Sequence, residues 1–465
     1  MPSTAPEPAG APAPAGPVRP PEVLRGWART APSAARVRHP SSPAALARSL
    51  DDTGRRGTIA RGLGRSYGDA AQNAGGQVVD TTGVADFDLD PATGVVRAAA
   101  GTSLDALLRE LVPSGWFVPV TPGTRYVTVG GAIAADIHGK NHHRSGSWCN
   151  HVLSITLARP DGSVTTVSPE VDPELFWATA GGMGLTGLIL EATFRCPPIE
   201  TSQLLVDTDR TADLDELMAL MEEGDAGYEY SVAFVDLMAP GRATGRAVLT
   251  RGRFARADEV PGDEAARRRY GPEILAGAPP GMPSGLLNRL SVTALNELWY
   301  RKSPRHRRDE LQSIPTFFHP LDLVNRWNRM YGPRGFLQWQ YAVPFGAEDV
   351  VRHSVQRLHE TGTTTFVAVL KRFGPANPAP LSFPMPGWTL AVDIPVGAPQ
   401  LGGLLDELDQ QVVEAGGRLY LAKDSRMRPE LLEAMYPRLD EWRAVRRRVD
   451  PDQQLRSDLA RRLGL

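Results

Sequence analysis

The chain has 465 residues, of which 42% are hydrophobic and 22% charged, with a formal net charge of −2. That length predicts more than one domain, the composition is that of an ordinary soluble globular protein, and the absence of a basic excess argues against nucleic acid as a partner. The two cysteines, Cys149 and Cys196, are too few for a disulfide framework or a four-thiolate metal site, which fits a reducing compartment.

Residues 1–20 are dominated by Ala and Pro and are expected to be a disordered tail, since Pro sustains neither helix nor sheet. They carry neither the basic start nor the apolar run of a signal peptide. No stretch approaches about eighteen consecutive apolar residues, so no transmembrane helix is expected. The expected location is cytoplasmic or membrane-associated, with any membrane contact peripheral.

Between residues 57 and 200 the pattern predicts short strands punctuated by Gly. "GQVVDTTG" and "GVVRAAAG" are brief β runs, "LSITLARPDGSVTTVS" is a hairpin around Pro160-Asp161-Gly162, and "TGLILEATFRC" is a further strand. Helices are expected over 103–115, with Ser103 as N-cap, and in "DPELFWATAGG". From about residue 201 the character changes. "ADLDELMALMEEGD" is an amphipathic helix and "YEYSVAFVDLM" a strand. Residues 256–285, charged and then rich in Pro and Gly, read as a long mobile loop. "FLQWQYAVP", "TTTFVAVLKRFG" and "WTLAVDIPV" alternate as strands, and "LGGLLDELDQQVVEAGG" is a helix closed by glycines. The fold class is α+β, with a second sheet domain carrying helices on one face.

Three glycine-rich segments stand beside predicted strands: "RGLGRSYGDAAQN" (61–73), "PVTPGTRYVTVGGAIAADIHGKNHH" (119–143) and "GGMGLTG" (181–187). The first has neither the G-x-G-x-x-G spacing of a dinucleotide fingerprint nor the Gly-Lys-Ser/Thr of a P-loop. Taken singly it reads as a tight turn. Taken together, the three predict backbone amides wrapped around a long anionic ligand such as a pyrophosphate.

"IARGLGRSYGD", "PGTRYVTVGGAIAADIHGKNHHRSGS", "FWATAGGMGLTG" and "LYLAKDSR", followed in order with "NELWYRKS", "FFHPLD", "PLSFP" and "RRRVDP", resemble flavoenzymes of the vanillyl-alcohol-oxidase type. More closely they resemble the decaprenylphosphoryl-β-D-ribose 2-oxidase family. The resemblance runs from about residue 25 to the C-terminus. It implies a two-lobed FAD-binding domain over 21–200, a substrate domain with an antiparallel sheet over 201–417, and a segment 418–465 completing the FAD domain. It also implies that Arg61, Gly62, Leu63, Gly64, Arg65, Ser66, Tyr67, Gly68 and Asp69 hold the FAD pyrophosphate. Gly123, Thr128, Val129, Gly130, Gly131, Ala135, Asp136, Ile137 and His138 would line the flavin and its ribityl chain, Ile189 the adenine end, and Tyr420 the isoalloxazine. Arg65 stands where covalent relatives in the superfamily carry His, so FAD is expected to be non-covalent.

The implied reaction is oxidation of the ribose 2-hydroxyl of a polyprenyl-phosphoryl ribose, the first half of an epimerisation that supplies arabinose to cell-wall arabinan. A short-chain reductase then acts on the keto product. Oxidising a secondary alcohol needs a hydride acceptor, a base and an oriented substrate. Lys423 is the first catalytic candidate, provided burial lowers its pKa, and could contact either the hydroxyl or the phosphate. Gln338 and Gln340, two apart on a strand, share one face and suit a polyhydroxylated sugar. Lys371 is a candidate for the phosphate. His138 is a flavin neighbour with a candidate catalytic role, while His142 and His143 read as loop histidines and no metal site is expected. Phe234 and Phe318 stand where family members carry Trp and Tyr, and Ala391 where mycobacterial members commonly carry Cys. Phe318 is therefore a candidate wall of the sugar pocket. The lipid-linked substrate implies work at a membrane surface, with the loop near 272–290 as the candidate contact. Two other readings are a soluble aldonolactone or alditol oxidase and a flavin-binding partner protein without turnover. Retention of Lys423, Gln340 and Tyr420 together argues against the second.

Overall fold

Three sheets organise residues 20–465, the part of the chain that the computed structural model describes. The expected tail lies outside the described residues except for Pro20. The first sheet contains β1 (Glu22–Leu24), β2 (Ser33–Arg38), β3 (Thr58–Arg61) and β4 (Gln77–Asp80), in the order β1-β2-β4-β3. β2, β4 and β3 run parallel. Ile59, Val78 and Val79 are buried, as parallel strands covered on both faces require.

The second sheet contains β5 (Phe87–Leu89), β6 (Val95–Ala99), β7 (Val152–Ala158), β8 (Val164–Val167) and β9 (Leu188–Arg195), in the order β5-β6-β9-β7-β8 and antiparallel throughout. β7 and β8 are the hairpin around Pro160-Asp161-Gly162, and Gly162 takes the left-handed conformation (φ +82) that the turn needs. The helix Leu104–Leu111 starts where Ser103 Oγ accepts the Ala106 amide at 3.1 Å, and it buries Leu104, Leu107, Leu108 and Leu111.

The third sheet is larger. It contains β10 (Gln203–Thr211), β11 (Tyr230–Asp236), β12 (Arg246–Phe254), β14 (His306–Ser313), β16 (Phe336–Pro344), β17 (Ala368–Phe373), β18 (Gly387–Pro395) and β19 (Arg418–Leu419). The order is β14-β10-β12-β11-β17-β18-β16-β19, and every pairing is antiparallel. Two short strands, β13 (Ala276–Gly277) and β15 (Val324–Asn325), pair separately. The apolar alternation in the sequence predicts β11, β16, β17 and β18 but not β10, β12, β14 or the helix Arg289–Lys302. On β10 and β14 the reason is charge. Asp209 of β10 pairs with Arg251 of β12 at 3.0 Å and with Arg308 of β14 at 2.8 Å, so ion pairs occupy positions where apolar residues would have revealed the strand. The 256–285 stretch, expected as one loop, contains a one-turn helix Glu264–Arg267 and β13.

Side chains alternate across β16. Trp339 donates to Asp409 of the helix Leu401–Glu414 on one face, and Gln338 and Gln340 face a cleft on the other. The C-terminal segment folds back to the first sheet, where Leu455 bridges Thr58. β19 also pairs with β16, so the expected boundary after residue 417 falls beside a strand of the large sheet. Among the described residues no helix is long and apolar enough to cross a membrane.

Candidate active site

A continuous cleft runs between the glycine-rich segments and the large sheet. Gly62, Leu63, Gly64, Arg65, Ser66 and Tyr67 line it from the loop after β3. Among the described residues, the amides of Leu63 to Ser66 donate no backbone hydrogen bond, so successive N–H groups remain for an anion. Gly62 permits the close approach behind this loop: a Cβ there would lie 2.2 Å from Thr128 Oγ1. Thr128 cannot yield freely, because its hydroxyl caps the helix Val129–Ala134 by accepting the Gly131 amide at 3.2 Å. Arg65 lies with its guanidinium 3.8 Å from the Trp27 ring centroid, and its buried Nε has no hydrogen-bond partner. Unpaired amides beside an under-satisfied guanidinium fit a pyrophosphate.

Gly123, Thr128, Gly130, Gly131, Ala135, Ile137, His138, Ile189 and Tyr420 also line the cleft, and the Tyr420 hydroxyl is fixed by donating to the Ala135 carbonyl at 2.8 Å. Five of the expected cofactor contacts lie off this wall. Arg61 turns away and donates to the Ala71 and Arg25 carbonyls at 3.0 and 2.8 Å, bracing the loop from behind. Gly68 abuts the C-terminal segment, where a Cβ would lie 2.0 Å from the Asp424 carbonyl. Asp69 pairs with Arg462 at 2.9 Å. Val129 is fully buried. Asp136 accepts hydrogen bonds from Ser147, Ser382 and Asn377, joining the two halves of the chain.

Across the cleft stand Gln338, Gln340, Lys371, Phe318 and Lys423. His138 Nε2 is 3.0 Å from Gln340 Nε2, and its Nδ1 is 3.2 Å from Lys371 Nζ. Burial pushes the Lys371 ammonium down to about 7. Lys423 is likewise pushed down to about 7 by burial, against the opposing pull of Asp393. Its Nζ sits 3.8 Å from the Tyr67 ring centroid. His138 is held well below the usual imidazole range, first by burial and then by the charge of Lys371.

Three further residues shape the site without having been predicted from the sequence. Lys140, half-buried and pushed down to about 7 by desolvation, lines the cleft and donates to the Phe317 carbonyl. Its place in "HGKNHH", two residues from His138, was an available signal. Asp393 is buried, accepts from Gln338 Nε2 at 2.5 Å, and is raised to about 7 by burial. Strand alternation from Ala391 would have placed it on the same face. Thr389 lies beside Gln340 at 3.2 Å, and only the cross-strand register reveals it. His142 is an anchor, its Nδ1 accepting the Gly374 amide at 3.1 Å.

The sequence profile of the FAD-binding domain family matches residues 34–168, and that of D-arabinono-1,4-lactone oxidase matches residues 340–463. The chain is 47% identical over 450 residues to decaprenylphosphoryl-β-D-ribose oxidase of Mycolicibacterium smegmatis, covering 95% of this chain and 97% of that one. It is 44% identical over 372 residues to an uncharacterised Streptomyces coelicolor protein, covering 78% of this chain and all of that one. Cytokinin dehydrogenase 2 of Arabidopsis thaliana is 29% identical over 133 residues, 29% of this chain and 26% of its own. The cleft and the matched FAD-binding domain define a FAD-dependent oxidoreductase. Within that class the chain belongs to the decaprenylphosphoryl-β-D-ribose oxidase family.

Proposed function

We propose that this enzyme oxidises the 2-hydroxyl of a polyprenyl-phosphoryl-β-D-ribose to the 2-keto sugar. Residues 21–200 with 418–465 hold the cofactor, and 201–417 hold the substrate. The observation that carries the reading is a cleft in which three half-buried lysines, Lys140, Lys371 and Lys423, converge with Gln338, Gln340 and His138. Amides and an imidazole suit sugar hydroxyls, and a lysine ammonium suits a phosphate. Gly62 to Tyr67, Gly130, Gly131 and Tyr420 would hold FAD, which supplies the two-electron acceptor when bound. His138, Gln340 and the lysines orient the sugar and manage its hydroxyl proton. Phe234, Phe318 and Val369 wall the cleft and exclude water.

Anaerobic addition of a short-chain polyprenyl-phosphoryl ribose should bleach the flavin and yield a sugar two hydrogens lighter. Bleaching by free sugar lactones in place of the phosphoryl ribose would overturn the reading. It would favour the soluble lactone-oxidase alternative, which the D-arabinono-1,4-lactone oxidase match over 340–463 supports. Arg65 cannot form the covalent flavin link that a His would offer, so acid precipitation should leave the yellow colour in the supernatant. The keto product then requires a reductase of the alcohol-dehydrogenase class to complete an epimerisation.

The lipid chain calls for contact with a bilayer. The helix Arg289–Lys302 supports such a contact more strongly than the preceding loop does. It exposes Leu290 (82%), Leu298 (65%) and Trp299 (54%) and carries Arg289, Arg301 and Lys302 beside them. Trp299 packs against Phe234 of the cleft wall at 6.2 Å between centroids, so this end of the helix adjoins the cleft. Exposed apolar side chains mixed with basic ones suit contact with an anionic bilayer surface. Leu290→Glu with Leu298→Glu should abolish co-sedimentation with anionic vesicles while leaving turnover of a detergent-dispersed substrate intact. Unchanged co-sedimentation would refute the contact.

A further inference from the structure

The cleft face of the large sheet carries a row of side chains whose hydrogen bonds determine one another. Thr389 of β18 stands directly opposite Lys371 of β17. Its hydroxyl donates to the Tyr341 carbonyl at 2.8 Å, so it meets its second neighbour, Gln340 at 3.2 Å, as an acceptor. Only the amide nitrogen of Gln340 satisfies that oxygen, which fixes the orientation of the amide. The same nitrogen lies 3.0 Å from His138 Nε2, so Nε2 must accept. A neutral imidazole carries one proton, which therefore sits on Nδ1. Nδ1 faces Lys371 Nζ at 3.2 Å. An ammonium has donors only, whereas a neutral amine can accept.

We propose that Lys371, held as a neutral amine against the Nδ1–H of His138, is the base that takes the proton of the sugar hydroxyl. Thr389 is the positioning residue that sets this arrangement through Gln340, and Lys423 is the cation that anchors the substrate phosphate. The proposal rests on the functional reading above. The sugar hydroxyl takes its place between the two groups. Its oxygen accepts from His138 Nδ1–H and its proton faces the Lys371 lone pair. As the carbonyl forms, the O–H proton passes to Lys371 Nζ; FAD, when bound, would supply the acceptor for the hydride that leaves the same carbon. His138 and the new ammonium both donate to the ketone oxygen.

The two lysines differ in their neighbours. Lys140, His142, Lys423 and Tyr420, whose ring lies 5.5 Å from His138 and whose phenol burial keeps protonated, are the charged or titratable groups around the His138–Lys371 pair, and they supply no negative charge. Lys423 faces the carboxyl of Asp393 and the Tyr67 ring, both of which favour its charged form. Burial acting on Lys371 without a carboxylate to oppose it works in the same direction as the hydrogen-bond geometry.

Histidine 15N NMR, with the His138 signal assigned by its loss in His138→Asn, should show the proton on Nδ1 in the wild type and in Thr389→Ser. In Thr389→Val, which removes the acceptor, the Gln340 amide is free to turn and the proton should move to Nε2. With short-chain polyprenyl-phosphoryl ribose, Lys371→Met should lower kcat about 10²–10⁴-fold with little change in KM. It should also remove a kcat limb that rises with pH. Lys423→Met should act chiefly on KM. A wild-type His138 protonated on Nε2, or a kcat limb that disappears with Lys423 and persists without Lys371, would overturn the assignment. No flavin reduction by this substrate in the wild type would instead overturn the functional reading beneath it. Retained FAD absorbance in each variant separates these outcomes from misfolding.

Discussion

At the scale of single residues, Gly62 shows how little space separates a cofactor loop from its support. A Cβ at this position would enter the hydroxyl of Thr128 at 2.2 Å. Relief requires either moving the loop or breaking the cap on the helix Val129–Ala134, and a lost cap costs about 1 kcal/mol. Gly62→Ala should therefore weaken FAD binding about fivefold or more, since 1.4 kcal/mol is a factor of ten, while unfolding only a few degrees lower. Flavin fluorescence titration measures the first and a thermal melt the second. An unchanged affinity would mean that the loop does not hold the cofactor. The place of this glycine on the cleft was legible in the sequence as part of a cluster, and so was that of Lys423, Lys371, Gln340 and His138. The roles of Arg61, Gly68 and Asp69 were not. Each lies in the same motif as the cleft residues, and a motif does not record which way a side chain turns.

At the scale of elements, the motif 61–69 is held by the C-terminal segment. Tyr67 donates its amide to the Ala422 carbonyl at 3.0 Å, Arg462 pairs with Asp69 at 2.9 Å and with Asp424 at 2.8 Å, and these carboxylates raise the Arg462 guanidinium above its ordinary range against the cost of burial. Arg462→Ala leaves two mostly buried carboxylates without a cation. Breaking a buried pair costs about 3–5 kcal/mol, and the partial exposure of Arg462 places this variant toward the lower end. The melt should fall, and FAD should dissociate faster because the loop loses its rear support. Arg462→Lys should restore only part of both, since a lysine cannot make the two-pronged contact with Asp69. Nearly four hundred residues separate the partners in sequence, so no local pattern announces the pair. Pattern reading succeeded where a strand alternates apolar and polar, as in β16 and β18. It missed β14, an edge strand whose "HRRDELQS" is polar on both faces.

At the scale of the whole molecule, the site concentrates charge that folding must remove from water. Lys140, Lys371 and Lys423 are each pushed down to about 7, led by burial. In the unfolded chain they keep their protons to about 10.4. Above pH 7 the unfolded state therefore binds more protons than the native state, and stability rises with pH. His138 and His142 are also depressed by burial, His142 to about 3, so protonation of the unfolded chain lowers stability as pH falls below about 6.5. Asp393 and Asp409, both raised to about 7 by burial, act oppositely between about pH 4 and 7, as do Asp225, Glu229 and Asp322, which burial also raises, so the lysines govern the slope only above about pH 7. The cofactor-free protein should thus melt progressively higher from pH 7 to pH 9, and differential scanning calorimetry at constant ionic strength would record the slope. Lys140→Met isolates one contribution. It forfeits the hydrogen bond to the Phe317 carbonyl, worth about 1 kcal/mol, but it removes an ammonium that is costly to bury while protonated. The variant should gain on the wild type at pH 6 and lose that advantage by pH 9, where the native lysine is already neutral. An equal shift at both pH values would mean that Lys140 is not deprotonated over this range and that the buried cations do not set the pH dependence of the fold.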